Sequence, residues 1–502
     1  MSVEKQLNRL SRGLYVDGAL RESACTETFP VVEPATEKQI GEVADCTDAE
    51  VDEVLAVANR AWTGWWALSA LERAGRMHKV ARVLHEMRPE LAELLTREMG
   101  KPYKESADEV DWAITAIDYY AEVGRHDTGH VVGPAVAGQM HYTLKEPMGV
   151  VAVILPFNYP FVLLCWEAAA ALAAGNAVVV KPSEYTSLST LRFVEAFEEL
   201  GPGLVQCVTG GGRVGGRLVS SPDTHMVAFT GSIPTGQAVA RACAETFKPH
   251  LIETSGNDAF LVMPSAPLDV AVRGAAFAAY LNCGQVCTSA ERFYVHTDVY
   301  DEFARRLVEE ATALRIGNGL DKVDVGPMVN AREYDRFQRI MARAVEQGAR
   351  VACGGRRPEH HASGYYFEPT VLLDVTPDME IMHGESFGPV APLVRVDSFE
   401  QAMELANDSD YGLGANIYTR DLAEVAAATT GFQTGMVWVN APLLDNDAGP
   451  FGGRKLSGSG RQLGAEGLDQ FRHTKLVMVD PRAESQDFWW FPYADDEAYP
   501  GQ

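Results

Sequence analysis

The sequence predicts an α/β protein, and three observations lead there. From residue 149 to 253, short valine-rich apolar runs alternate with helical stretches, the rhythm of a parallel sheet wound on both faces by helices. A second alternation of the same style runs from about 257 to 440 and predicts a second α/β domain. The chain has 502 residues, 46% hydrophobic and 22% charged, which suits two or three cores and a globular rather than a disordered chain.

In chain order, residues 1–45 read as short strands and turns. Thr47-Asp48-Ala49-Glu50 is a capping box ahead of Val51, Val54, Leu55 and Val57, so a helix starts there. Helices continue through Leu71–Met99, where Gly100 and Pro102 end the run. Residues 103–126 form a further amphipathic helix, and 129–148, richer in Gly, Val and Thr, a hairpin or extended arm. Between Gly149 and Val180 the only charge is Glu167, and the stretch is long enough to span a membrane. Pro156, Asn158 and Pro160 interrupt it, and Gly175-Asn176 interrupts it again, so it reads as strand, turn, buried helix and strand. Strands at Val150–Leu155, Ala177–Lys181, Leu204–Thr209, Met226–Phe229 and Pro249–Glu253 alternate with helices at Phe161–Ala174, Ser189–Leu200 and from 235. This is a Rossmann-type doubly wound pattern, the usual holder of a dinucleotide. Phe471–Asp480 is a last strand. The aromatic run Phe488-Trp489-Trp490-Phe491-Pro492-Tyr493 after it suggests docking on another surface.

The net charge is −26, spread along the chain. Such a field repels phosphate backbones and argues against a nucleic-acid partner; its plain meaning is a solvated surface. The eight cysteines form no CxxC pair and no zinc-spaced cluster, so neither a disulfide framework nor a metal site is expected. With no signal-peptide core at the N-terminus and no membrane span, the expected compartment is the cytoplasm.

Six short stretches could carry chemistry, and each has a plainer reading. Gly210-Gly211-Gly212-Arg213-Val214-Gly215 follows a strand as G-x-G-x-x-G does, but no acidic residue follows at the expected distance, so phosphate contact and a simple tight turn stay equally open. Thr230-Gly231-Ser232, with Gly236 in the next turn, puts free N–H groups and a hydroxyl at a helix start; this suits a pyrophosphate, or is an ordinary cap. Lys181-Pro182-Ser183-Glu184 ends a sheet strand where such sheets bind ligands. Lys181 and Glu184 could hold ribose hydroxyls, with Glu184 repelling a 2′-phosphate and so favouring NAD over NADP; the alternative is a surface ion pair. Cys287, in a Gly-Gln turn before a helix start, would have a lowered pKa and act as a nucleophile; an inert buried cysteine describes Cys283 better. Glu253 ends an apolar strand and is placed for desolvation, or is simply solvated. Asn158, between Pro156-Phe157 and Tyr159-Pro160, offers a fixed amide to an oxyanion, or caps a turn.

Taken together and in this order, these stretches resemble the aldehyde dehydrogenase superfamily of the NAD(P)-dependent, hydrolytic type. Glu385-Ser386-Phe387-Gly388-Pro389-Val390 and Pro450-Phe451-Gly452-Gly453-Arg454-Lys455 extend the likeness, which covers about residues 15 to 480. The resemblance implies an aldehyde dehydrogenase-like fold with a Rossmann-type cofactor domain (1–128 and 148–253), a second α/β catalytic domain (254–456), and a small β oligomerisation arm with the tail (129–147 and 457–502). It implies that Cys287 attacks the aldehyde, that Asn158 and the Cys287 N–H hold the oxyanion, and that Glu253 activates the hydrolytic water. Lys181 and Glu184 would hold the adenosine ribose, Ser232 the pyrophosphate and Glu385 the nicotinamide ribose. Phe387 would lie near the nicotinamide, with Pro156, Phe157, Gly231 and Gly236 also on the cofactor side. No metal is implied, and the arm would build a homodimer or homotetramer.

The chain departs from the family where Glu-Leu-Gly-Gly is usual: here it reads Glu253-Thr254-Ser255-Gly256, and Ser255 adds a side chain near the cofactor. Phe157 replaces a more usual Trp. By family position, Trp112, Tyr159, Leu163, Trp166, Leu281 and Phe451 line the substrate tunnel and suggest a medium-sized apolar or aromatic aldehyde. Asp445, in the acidic loop Leu443–Asp447, suits an aminoaldehyde instead. The alternatives are a CoA-acylating enzyme, against which Glu253 argues, and a non-catalytic structural protein, against which the intact Cys287, Glu253 and Asn158 argue.

Overall fold

Strands that are apolar at every position belong at the centre of a sheet covered on both faces. In the computed structural model, which describes residues 3–126, 128–486, 490 and 491, Val150–Ile154 and Ala177–Lys181 are buried at every position and pair in parallel. They sit inside an eight-stranded sheet. Its order is Gly458–Ser459, His250–Glu253, Met226–Thr230, Val150–Ile154, Ala177–Lys181, Val205–Cys207, Gly13–Val16 and Ala19–Glu22. The five central strands are parallel, and the outer ones are antiparallel additions. Gly458–Ser459 comes back from far along the chain to pair with the strand that ends in Glu253: Gly458 faces Glu253 and Ser459 faces Ile252.

A second sheet of seven strands runs Arg350–Cys353, Thr370–Leu373, Val390–Val396, Ala290–His296, Asp258–Val262, Ala415–Tyr418 and Trp438–Val439. All its pairings are parallel except that of Arg350–Cys353. Each sheet has its own buried apolar cluster. A third, three-stranded sheet pairs Arg472–Val479 with Met140–Pro147 and Val131–Val132, which is the expected arm and late strand. Its outward side chains Val131, Met140, Leu476 and Met478 are exposed.

The helical expectations hold with some shifts. Thr47 makes its capping box with Glu50, and Ser69 makes a second with Glu72 at the head of Ala70–Met99. That helix stops at Gly100, whose φ of 97° is left-handed backbone that glycine adopts without strain. The N-terminal stretch is not all strand and turn. Val3–Leu10 is a helix, because Leu7 and Leu10 bury on one face while Glu4 and Arg9 suit its two ends. The helix expected at Ser189–Leu200 is α-helical over Ser187–Val194 and tightens to 3₁₀ over Glu195–Leu200. An additional helix, Gly212–Ser220, begins inside the glycine run. No helix among the described residues is long and apolar enough to cross a membrane. Of the aromatic run at 488–493, Phe488, Trp489, Pro492 and Tyr493 lie outside the described residues; Trp490 and Phe491 are exposed.

Candidate functional site

The C-terminal ends of the parallel strands open on one cavity of about 650 Å³, where ligands of open α/β sheets collect. Pro156, Phe157, Lys181, Glu184, Gly231 and Ser232 line it from the first sheet; Glu385 and Phe387 line it from the second. Cys287, Glu253 and Asn158 stand on the same wall. Gly236 does not reach it. A side chain there would meet Thr254 and Ile252 within about 3 Å, so Gly236 lets its helix pack on the strand of Glu253 instead.

Several donors on this wall lack acidic partners. Lys181 is 6% exposed, yet among the described residues its ammonium donates only to the carbonyl of Pro182, at 3.0 Å. Burial lowers its pKa, and the charge of Glu184 opposes this. The helix Ile233–Ala244 starts at Ser232 without a side-chain cap, as does Gly212–Ser220 at Gly211. Their first N–H groups therefore remain for a ligand. Gly211, Gly212, Gly215 and Gly216 line the cavity, so the glycine run that the sequence left open belongs to this site. A buried unpaired ammonium and two uncapped helix starts around a cavity of this size fit a dinucleotide with its diphosphate.

Cys287 and Asn158 also line a narrow second cavity of about 40 Å³. The six residues placed by family position, Trp112, Tyr159, Leu163, Trp166, Leu281 and Phe451, line it too, and so does Asp445 of the acidic loop. Trp112, Tyr159 and Leu281 continue into an outer cavity of about 840 Å³. The thiol thus sits where a wide cavity on one side meets a narrow, aromatic-walled one on the other.

Asn158 is fixed from behind. Its carbonyl accepts from the Lys101 ammonium and, at 3.3 Å, from the Asn282 amide. Lys101 is itself clamped by Glu109 at 2.6 Å, with both side chains fully buried, and lies 3.7 Å from the centre of the Tyr159 ring. The other Glu109 oxygen accepts from the Phe161 N–H at 2.8 Å. The Asn158 side-chain amide makes no hydrogen bond with any described residue, which leaves its N–H₂ free toward the two cavities. The Cys287 backbone N–H is likewise unused by any backbone partner.

Cys287 corrects one expectation. No helix starts there: it lies in the turn between the 3₁₀ segment Leu281–Gly284 and the strand Ala290–His296. Without a helix dipole, burial pushes the thiol well up, and the charge of Glu253 pushes the same way. Glu253 is 2% exposed, and among the described residues neither oxygen has a hydrogen-bond partner of good geometry. Burial pushes its carboxyl up to about 8; the Cys287 thiol and the Thr230 hydroxyl draw it back in part. Thr230 also donates to Glu167 at 3.1 Å, and Glu167 accepts from Gln462 at 2.7 Å. Burial pushes Glu167 up to about 8 as well.

Residues 21–477 match the sequence pattern of the aldehyde dehydrogenase family. The chain belongs to that family. It is 37% identical to 3,6-anhydro-alpha-L-galactose dehydrogenase of Vibrio sp. (strain EJY3), over 93% of this chain and 98% of that protein. Among solved structures it resembles an NADP-dependent enzyme of E. coli, with TM-score 0.92 and 35% identity over 95% of this chain and 99% of that one. It also resembles betaine aldehyde dehydrogenase of Staphylococcus aureus in complex with NAD+, with TM-score 0.93 and 30% identity over 98% of this chain and 99% of that one. This aldehyde dehydrogenase is therefore an oxidoreductase with the α/β architecture of its family, and a nicotinamide cofactor belongs with it.

Sequence reasoning missed the groups that brace this aldehyde dehydrogenase's site from outside its motifs. Arg336 donates to the carbonyls of Glu385 at 3.2 Å and Ser386 at 2.8 Å. Glu105 accepts the Asn282 N–H at 3.0 Å, and burial pushes its carboxyl up to about 8. Among the described residues no group of His, Cys, Asp and Glu could hold a metal ion.

Proposed function

We propose that this enzyme oxidises an aldehyde to the carboxylic acid with NAD, through a thioester on Cys287, and that its substrate is a medium-sized aldehyde carrying a protonated amine. The observation that carries the substrate reading is Asp445. It lines the narrow cavity among Trp112, Tyr159, Trp166 and Phe451, with no ion-pair or hydrogen-bond partner in the described residues. Its side chain is exposed, yet the protein packed around it, and next the charge of Asp447, push its carboxyl up to about 7. An unpaired carboxylate among aromatic faces attracts an ammonium through both charge and ring quadrupoles. The apolar rings alone would equally suit an aromatic aldehyde, and the two readings separate at Asp445.

The Cys287 thiol, once deprotonated, adds to the carbonyl carbon, and the Asn158 amide and the Cys287 N–H stabilise the oxyanion. NAD, when bound, supplies the nicotinamide that accepts the hydride. Glu253 then takes a proton from water, whose oxygen attacks the thioester carbon; the carbon–sulfur bond breaks and frees the acid and the Cys287 thiolate. Lys181 and Glu184 would hold the adenosine ribose, the helix start at Ser232 the diphosphate, and Glu385 the nicotinamide ribose. Glu184 on the cavity wall would repel a 2′-phosphate, which supports NAD over NADP. Residues 1–128 with 148–253 would form the cofactor domain, and 254–456 the catalytic domain.

Asp445→Asn is expected to lower kcat/KM for amino aldehydes about 10- to 150-fold, the loss of one charge-assisted contact of about 1.5–3 kcal/mol. Neutral aliphatic and aromatic aldehydes should be nearly unaffected. The assay is NAD(P)H formation over a panel of aldehydes with each nucleotide; equal losses for charged and neutral aldehydes would refute the amine reading.

The three-stranded sheet exposes apolar side chains on both faces, Val131 and Met140 on one and Leu476 and Met478 on the other, which supports a homodimer or homotetramer. Sedimentation is expected to show one of these; a monomer at micromolar concentration would refute it.

A further inference from the structure

Glu291 lies on the strand Ala290–His296, just beyond Cys287, and is 3% exposed. It does not reach the cofactor cavity, yet it touches the turn that does. One carboxylate oxygen accepts from Ser386 Oγ at 2.8 Å and from the Phe387 N–H at 2.7 Å. The other accepts from the Ser386 N–H at 2.8 Å and from Asn257 Nδ2 at 3.0 Å. Four donors converge on one buried group; burial pushes its carboxyl up, and the four hydrogen bonds oppose this by favouring the carboxylate.

The turn needs such a hold. Phe387 has φ 47°, left-handed backbone that a bulky side chain rarely adopts and that persists only where its surroundings enforce it. Arg336 grips the carbonyls of the same turn while Glu291 grips its N–H groups. The residues so held, Glu385 and Phe387, both face the cavity, and the Phe387 ring meets Phe157 edge-on at 5.9 Å.

We propose that Glu291 is a positioning residue for cofactor binding, building the 385–387 wall of the cavity from behind. This rests on the assignment of that cavity to a nicotinamide dinucleotide. An electrostatic consequence follows from the same placement. After burial, the charge of Glu291 is the largest influence raising the Glu385 carboxyl, to about 8; the Ser255 hydroxyl, the Gly256 N–H and Arg336 oppose it. Glu253, Cys287 and Tyr411 are the other titratable groups facing Glu385. Glu385 is better able to accept ribose hydroxyls as a carboxylate, so dinucleotide affinity should rise with pH through about 8.

The test compares wild type, Glu291→Gln and Ser386→Ala by the Kd for NAD and NADP across pH 6 to 9.5, and by KM for NAD and for aldehyde. In Glu291→Gln, either orientation of the new amide leaves one backbone N–H of the turn facing another N–H₂. Kd and KM for the nucleotide should rise about tenfold while the aldehyde KM stays. The inflection of Kd with pH should also move to lower pH, which a purely structural defect would not produce. Ser386→Ala, which removes one bond but no charge, should weaken binding less and leave the inflection in place; it serves also if Glu291→Gln does not fold. Unchanged nucleotide binding in both variants, or an inflection that stays put in Glu291→Gln, would overturn the proposal. Failure of the wild-type protein to bind either nucleotide would overturn both this proposal and the assignment of the cavity.

Discussion

Cys287→Ala is expected to stop aldehyde oxidation, with turnover falling on the order of 10⁴-fold or more, while dinucleotide affinity is unchanged. The thiol is placed at the junction of the cofactor cavity and the narrow tunnel, the one position on both walls with a strong nucleophile. Cys283 cannot stand in for it. It is 1% exposed, held in left-handed backbone and absent from both cavity walls, and burial pushes its thiol up. Rapid mixing with aldehyde and cofactor should show no burst of reduced nucleotide in the variant. More than a few per cent of wild-type turnover would refute Cys287 as the nucleophile.

Glu253→Gln should behave differently: a first turnover yielding one reduced nucleotide per site, then a stall. Gln keeps the size but cannot take the proton from water, so thioester hydrolysis should slow about 10²- to 10⁴-fold. The wild-type steady-state rate should rise with pH through about 8, because below that value Glu253 holds its proton and cannot act as a base. In the variant this rise should vanish. A wild-type profile flat from pH 6 to 9, or a variant with normal steady-state turnover, would remove Glu253 from the mechanism. Rescue of the stalled variant by CoA, with a CoA thioester as product, would revive the acyl-transfer reading set aside on the sequence.

Much of the site was legible because each of its pieces is contiguous. Pro156–Asn158, Lys181–Glu184, Thr230–Ser232 and Glu385–Phe387 each follow a strand or turn, so their residue types could be read in place. The framework behind them was not legible. Asp108 and Glu109 are adjacent on one amphipathic helix, yet Glu109 is fully buried against Lys101 while Asp108 pairs with the exposed Lys104. Periodicity marks apolar faces and does not show which charge finds a buried partner. Glu291 carried no signal for the same reason, since its four donors come from residues distant in sequence. The lowered thiol pKa expected for Cys287 failed on a local ambiguity: Thr288-Ser289 reads as a helix start or as the approach to a strand, and the strand at Ala290 won. The glycines of 210–215 fell short of a decision because the acid that usually accompanies them is missing, while their place on the wall depends on the helix that follows.

The short pair Gly458–Ser459 has a consequence for how the enzyme is made. The strand that ends in Glu253 is flanked on one side by Met226–Thr230 and on the other only by these two residues, supplied after the whole second sheet. As the chain leaves the ribosome, the first sheet can form early, but this strand keeps an open edge until some two hundred further residues have been synthesised. The first half of the protein is thus complete only when nearly all of the second half exists. Its catalytic border is then among the last parts to close, and until that moment its open strand edge is exposed to wrong pairing.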